Sequence, residues 1–198
     1  MINFNINLDQ YNILIVGSGN VAKRRLKKIL SSSKKIKINL ISPTTDQELN
    51  KILKDNKNIK FKKRKFKKSD IINNQIILAC TNDSEVNKKI SIISKEMKLL
   101  VNDASNKKNS NFQFTSILKI NSFLNMSLNS NGKNPSYSKE SRVLIEKVFI
   151  KSIKKLLKIS NINPNKENSS ISIKKYNSDI IKKLEVEINN SIINILKK

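Results

Sequence analysis

Gly17, Gly19 and Ala22 fall at the spacing G-x-G-x-x-A inside NILIVGSGNVAKRR, residues 12–25. Each small residue has a physical job if this loop cradles a pyrophosphate. The first glycine makes the tight turn, the second lets the backbone approach the phosphates, and the third residue lets helix and strand pack closely. Free N–H groups at the start of the following helix then face negative charge. The context that the motif requires is present. Ile13–Val16 is a short apolar run, the pattern of a strand buried on both faces, and a helix-forming run begins around Val21. A glycine-rich turn without a ligand is the bland alternative, and the flanking pattern favours the dinucleotide site over it.

The groups available for acid–base work are few. The 198 residues include no histidine and one cysteine, Cys80, so proton transfer falls to a carboxylate. A single cysteine allows no intramolecular disulfide and fits a reducing compartment. Cys80 ends an apolar run and reads as a small core residue rather than a nucleophile. No cysteine–histidine cluster exists, so no resident metal is expected. Forty Lys and Arg against fifteen Asp and Glu give a net charge of +25, which suits polyanionic partners. The lysines run along the whole chain, core strands included, so composition bias accounts for much of that charge. With no signal peptide and no apolar run long enough to cross a bilayer, the expected location is cytoplasmic.

The elements that must position the loop follow an alternating pattern. Strands are expected at Ile36–Ile41, Ile59–Phe66, Ile76–Cys80 and Leu99–Val101, with helices at Gln47–Leu53 and Glu85–Lys95 between them. Residues 1–11 read as a lead-in strand or a segment covering the first strand. This order argues for an α/β, Rossmann-like, doubly wound parallel sheet. Ligands then sit at the carboxyl ends of the strands, where Gly17–Asn20, Ser42–Thr45, Thr81–Asp83 and Asn102–Ser105 would converge on one crevice. After Phe112 the pattern changes: strands over 112–120 and 123–129, a turn at Ser130–Pro135, a helix over 136–159, a polar linker and a last helix over 180–196. Three segments result: a dinucleotide-binding domain at 1–112, a small α+β dimerisation and substrate segment at 113–148, and C-terminal helices at 149–198.

The order of these motifs resembles the precorrin-2 dehydrogenase/sirohydrochlorin ferrochelatase family, the N-terminal part of siroheme synthase. The resemblance spans most of residues 1–150 and rests on ILIVGSGNVAKRR (13–25), Ser42-Pro43, LACTNDSEVN (78–87), Val101–Asp103, Phe112 and the SNGKNP turn (130–135). It implies oxidation of precorrin-2, an octacarboxylate tetrapyrrole, to sirohydrochlorin with NAD, and in some members the insertion of ferrous iron as a second substrate. Apart from the resemblance, two strands cannot bury a face alone, so the segment after Phe112 is expected to pack on the sheet or to pair with a second copy in a homodimer. By the resemblance, Gly17, Gly19, Asn20 and Val21 would hold the pyrophosphate, and Ser42, Pro43 and Thr44 would lie beside the adenosine ribose. Thr81 and Asn82 would line the nicotinamide side, and Ser130, Asn131 and Gly132 would form a substrate turn. The acid that usually follows the second strand is absent and Ser42 stands there, so the residues themselves do not exclude NADP; the family leans to NAD.

The catalytic carboxylate has two registers. An ungapped match on Asn102 and Phe112 puts Ser105 at the family's aspartate position, whereas a two-residue shift puts Asp103 there. Asp103 is the candidate base, with a loop-capping role as its structural alternative. Two other classes stand beside the enzyme. A non-enzymatic NAD-sensing module would share the glycine loop but has no use for the SNGKNP turn. A nucleic-acid-binding protein is supported only by charge, and aromatic residues are too few, at 5%, for a base-stacking platform; no nucleic-acid or membrane partner is expected.

Overall fold

The computed structural model describes residues 5–33, 35–119, 125–130, 134, 136–146 and 186. Five parallel strands form one sheet: β1 (Asn12–Val16), β2 (Lys37–Ile41), β3 (Ile59–Lys62), β4 (Ile76–Ala79) and β5 (Leu100–Asp103), in the order β3-β2-β1-β4-β5. Strand order therefore reverses at β1, which pairs with β2 on one side and β4 on the other. A central strand covered on both faces must be apolar throughout, and Ile13 to Val16 are all buried.

Alternation along the strands divides the core in two. Ile13, Ile15, Ile38, Leu40 and Leu78 pack with Leu26 and Ile29 of helix α1 (Asn20–Leu30) and Leu49 of α2 (Gln47–Asp55). Leu14, Val16, Ile77, Ala79 and Val101 face the other way, toward Ile90 and Ile93 of α3 (Ser84–Glu96) and Ile71. The starts of α2 and α3 are set locally. Asp46 accepts from the Leu49 N–H ahead of α2, and Asp83 accepts from Glu85 and Val86 N–H ahead of α3. Lys23, on the buried face of α1, pairs with both Asp46 and Glu48 and so ties α1 to α2. Those contacts hold both carboxyls below their usual range, the Lys23 hydrogen bond first among the causes.

The expected strand at 59–66 ends at Lys62. Both arms of the Arg64 guanidinium close on Asp70 at 2.8 and 2.5 Å, and the Lys67 N–H donates to the same carboxyl. That clamp bends residues 64–70 away from the sheet, and Phe66 turns onto the second core. At the other edge the strand runs past Val101 to Asp103, so Asn102 and Asp103 lie in β5 and not in the loop expected for them. Residues 8–10 form a short 3-10 turn rather than a lead-in strand, and Leu8 packs against the first core.

The chain forms two compact units that divide between Phe114 and Thr115. In the second, β6 (Ser116–Lys119) and β7 (Asn125–Leu128) make an antiparallel pair, and residues 136–146 are helical. Asn131 and Gly132, the far end of the expected helix, the linker and all of the last helix but Val186 fall outside the described residues.

Candidate active site

A cleft of about 500 Å³ opens at the carboxyl ends of the strands in the first unit. Gly17, Ser18 and Gly19 come to it from β1, Ser42, Pro43 and Thr44 from β2, and Thr81, Asn82 and Asp83 from β4. Three of the four loops expected to meet there do so. Asn102–Ser105 is the exception, since none of its residues lines the cleft. Instead Lys65, Phe66 and Lys68 from the loop after β3, with Val86 and Lys89 of α3, complete the wall. Of those five, only Val86 falls in a quoted motif, LACTNDSEVN. Their lysines were indistinguishable in so lysine-rich a chain, and only the Arg64–Asp70 clamp explains why that loop folds back.

Gly17 has φ +111°, and its N–H donates to the Ile41 carbonyl at 2.8 Å. A Cβ on it would stand 2.3 Å from the Cys80 carbonyl oxygen, so β4 itself forbids a side chain. Gly19 differs. A Cβ there would meet only Asn82 Oδ1, at 3.6 Å, and the residue is the N-cap of α1 with no capping side chain. The first turn of α1, including Asn20 and Val21, carries no acid, so its N–H groups remain suited to phosphate oxygens. The open space over Gly19 and the uncapped helix start fit a dinucleotide pyrophosphate. Beside them the Ser42 hydroxyl donates to Ser18 Oγ at 2.8 Å, and Ser18 and Thr44 hydroxyls lie 3.3 Å apart. Cys80 is buried at the cleft floor, where burial pushes its thiol pKa up despite the Arg25 N–H donated to Sγ at 3.1 Å.

A hydrogen-bonded chain leads from this cleft to β5. Thr81 N–H and Oγ1–H donate to Asn87 Oδ1 at 3.0 and 2.8 Å, and Asn87 Nδ2 donates back to the Thr81 carbonyl. The same Nδ2 reaches Ser105 Oγ at 3.4 Å, and Ser105 donates from both Oγ and N to Asp103 Oδ1 at 2.6 and 2.7 Å. Asn106 N–H adds to Oδ1, and Asn109 Nδ2 donates to Oδ2 at 2.8 Å. Asp103 is buried, which pushes its pKa up, but the hydrogen bonds from Ser105, Asn109 and Asn106 outweigh burial and hold it below the usual carboxylate range. Ser105 is the exposed member of the pair. The two registers that competed for the catalytic position thus name two side chains in direct contact. Asn102, beside them, donates to the Phe112 carbonyl. Ser130 accepts the Asn134 N–H at 3.3 Å in the second unit.

Residues 4–116, more than half the chain, match a protein-family model described as putative NAD(P)-binding. Precorrin-2 dehydrogenase of Bacillus subtilis is 30% identical over 149 residues, covering 75% of this chain and 89% of that one. The chain belongs to the precorrin-2 dehydrogenase family. A putative precorrin-2 dehydrogenase of Methanocaldococcus jannaschii is 29% identical, over 68% of this chain and 66% of its own length. A probable multifunctional siroheme biosynthesis protein of Ruminiclostridium josui is also 29% identical, but the chain spans only 27% of it. Among solved structures, SirC, a precorrin-2 dehydrogenase, shares the fold with a TM-score of 0.66 at 22% identity, over 100% of both chains.

The two glycines separate stability from binding. Gly17→Ala should lose about 2–4 kcal/mol in urea unfolding, from the collision with β4 and the positive φ together. Gly19→Ala should lose less, about 0.5–1 kcal/mol for the poorer N-cap, and still bind NAD more weakly in a titration.

Asp103 makes stability depend on acid. Its folded pKa lies below the unfolded one, so the stability from its carboxylate is present above the ordinary value, about 3.9, and is lost as pH falls through the depressed folded value. Asp103→Asn should lower stability at neutral pH and flatten the fall in urea midpoint below about pH 4. An unchanged slope would show that the carboxyl is not held as described.

Proposed function

We propose that this chain oxidises precorrin-2 to sirohydrochlorin with NAD in siroheme synthesis. The observation that carries the reading is the cleft beside Gly19 and the uncapped start of α1, in a chain that covers 89% of a precorrin-2 dehydrogenase. Gly17, Gly19, Asn20 and Val21 hold the pyrophosphate, Ser42, Pro43 and Thr44 the adenosine ribose, and Thr81 and Asn82 lie along the rest of the dinucleotide. NAD, when bound there, would supply the hydride acceptor for oxidation of the macrocycle. The accompanying proton goes to the Ser105–Asp103 pair: Ser105 Oγ takes it as the Ser105 hydroxyl proton passes to Asp103 Oδ1. Asp103 is ionised at neutral pH and so is ready to receive; its depressed pKa returns the proton promptly through exposed Ser105 to water. Ser130, Asn131 and Gly132 are assigned to contacts with the polycarboxylate substrate, whose charge the lysine-rich surface attracts. No helix among the described residues is long and apolar enough to cross a membrane, in keeping with a cytoplasmic enzyme.

The β6–β7 hairpin supports a homodimer. Two strands do not bury a face alone, and Ile117, Tyr137 and Leu144 are exposed in the second unit. Light scattering should give twice the chain mass of 22.7 kDa; a monomer at micromolar concentration would remove this part of the reading.

The reaction is read anaerobically by absorbance, with sirohydrochlorin and NADH expected to appear together. Ser105→Ala and Asp103→Asn should each cut turnover by on the order of 100-fold while leaving NAD affinity near the parent's, because neither residue lines the cleft. Full turnover in both variants would exclude the pair as proton acceptor. No turnover from folded parent protein with NAD or NADP would sink the dehydrogenase. Adding ferrous iron to the same assay reads chelation separately.

A further inference from the structure

Asn87 is fully buried in the first turn of α3 and lines no part of the cleft. A buried amide must find partners for both its oxygen and its nitrogen, and here one orientation alone does so. The Thr81 N–H can only donate, so the amide atom 3.0 Å from it is the oxygen. The Thr81 carbonyl can only accept, so the atom 3.0 Å from that carbonyl is Nδ2. The second Nδ2 hydrogen is left for Ser105 Oγ, at 3.4 Å. The helix holds the amide in place: Asp83 caps α3 one turn earlier, and the Ser91 hydroxyl donates to the Asn87 carbonyl at 2.9 Å.

This fixes what Ser105 can do with its own hydrogen. A hydroxyl carries one hydrogen and two lone pairs. Ser105 Oγ accepts from Asn87, so its hydrogen turns away from Asn87 and goes to Asp103 Oδ1, at 2.6 Å. One lone pair is left over, on a residue exposed to solvent. That is the state a proton acceptor needs, with its hydrogen already bound toward Asp103 and a pair free to receive. An acceptor at position 87 would do the reverse, drawing the hydroxyl hydrogen to itself.

We infer, on the reading of Ser105–Asp103 as the proton acceptor, that Asn87 is a positioning residue for the oxidation: its amide N–H orients the Ser105 hydroxyl toward Asp103. Its place in the reaction comes through Ser105 alone.

Asn87→Asp isolates that donation. The carboxylate is the same size and still accepts both Thr81 donors, but it has no hydrogen for Ser105. In the anaerobic assay kcat should fall about 10- to 100-fold, while the Kd for NAD, by titration, stays within about threefold. A double-mutant cycle decides the matter: in a Ser105→Ala background, Asn87→Asp should cost no more than about a further twofold in kcat. Asn87→Ala, which buries no charge, goes through the same cycle with the same expectation, and circular dichroism confirms the fold of each variant. Losses that multiply across the cycle would overturn the inference, since Asn87 would then act on the structure at large. Parental kcat in either folded Asn87 variant would overturn it, as would a loss of NAD affinity in Asn87→Asp as large as its loss of kcat, which would assign Asn87 to the Thr81 loop instead. Each of those results leaves the Ser105–Asp103 reading standing. Parental turnover in Ser105→Ala alone would refute that reading, and the inference with it.

Discussion

Three strands meet at Gly17, and the fold around the site depends on how closely they do so. Its N–H is bonded to the end of β2, its Cα lies against the carbonyl of Cys80 at the end of β4, and it is the first residue past β1. Only a residue without a side chain, at positive φ, satisfies all three. If this corner opened, β1 would still pair with its neighbours, but α1 would no longer start at the mouth of the switch point. The ligand-facing backbone is a by-product of packing that the sheet requires anyway. That explains why one short motif carries so much structural information.

The parts of the molecule visible in the sequence are those set by local chemistry and periodicity. The apolar run Ile13–Val16, the glycine spacing and the apolar positions Val86, Ile90 and Ile93 of α3 each express one dominant demand, and the five strands and three helices follow from them. Boundaries failed where a distant partner decides. Nothing near Phe61 says that the strand stops at Lys62; the reason is Asp70, which captures Arg64. The extension of β5 through Asp103 has a similar origin, since Asn111 and Ser110 reach back to bond Val101 N–H and Asp103 N–H. Asn87 closes the LACTNDSEVN stretch, but its four side-chain hydrogen bonds became readable only once α3 and the Thr81 loop were side by side.

Asp103 illustrates how burial and hydrogen bonding divide a carboxylate's work. Burial alone would favour the protonated form, yet four donors converge on the two oxygens and reverse the balance. The same donors anchor the loop that follows β5, so a charge useful in chemistry also shapes the backbone around it. Through Ser105 and Asn87 this loop shares hydrogen bonds with Thr81, which lines the cleft. Two loops from neighbouring strands are therefore positioned by one network rather than by separate devices.

Acids are scarce in this chain, and the structure uses each of five for more than one bond. Asp46 caps a helix and meets Lys23, Glu48 meets Lys23 and Lys27, Asp70 holds Arg64 and the Lys67 N–H, Asp83 opens α3, and Asp103 gathers its loop. Among the described residues lysines, by contrast, are mostly exposed, Lys23 excepted. A lineage whose composition drifts toward lysine and asparagine thus meets unequal resistance along the chain. Surface positions absorb the drift at little cost, while these few carboxylates mark where it must stop for the sheet to keep its loops in place.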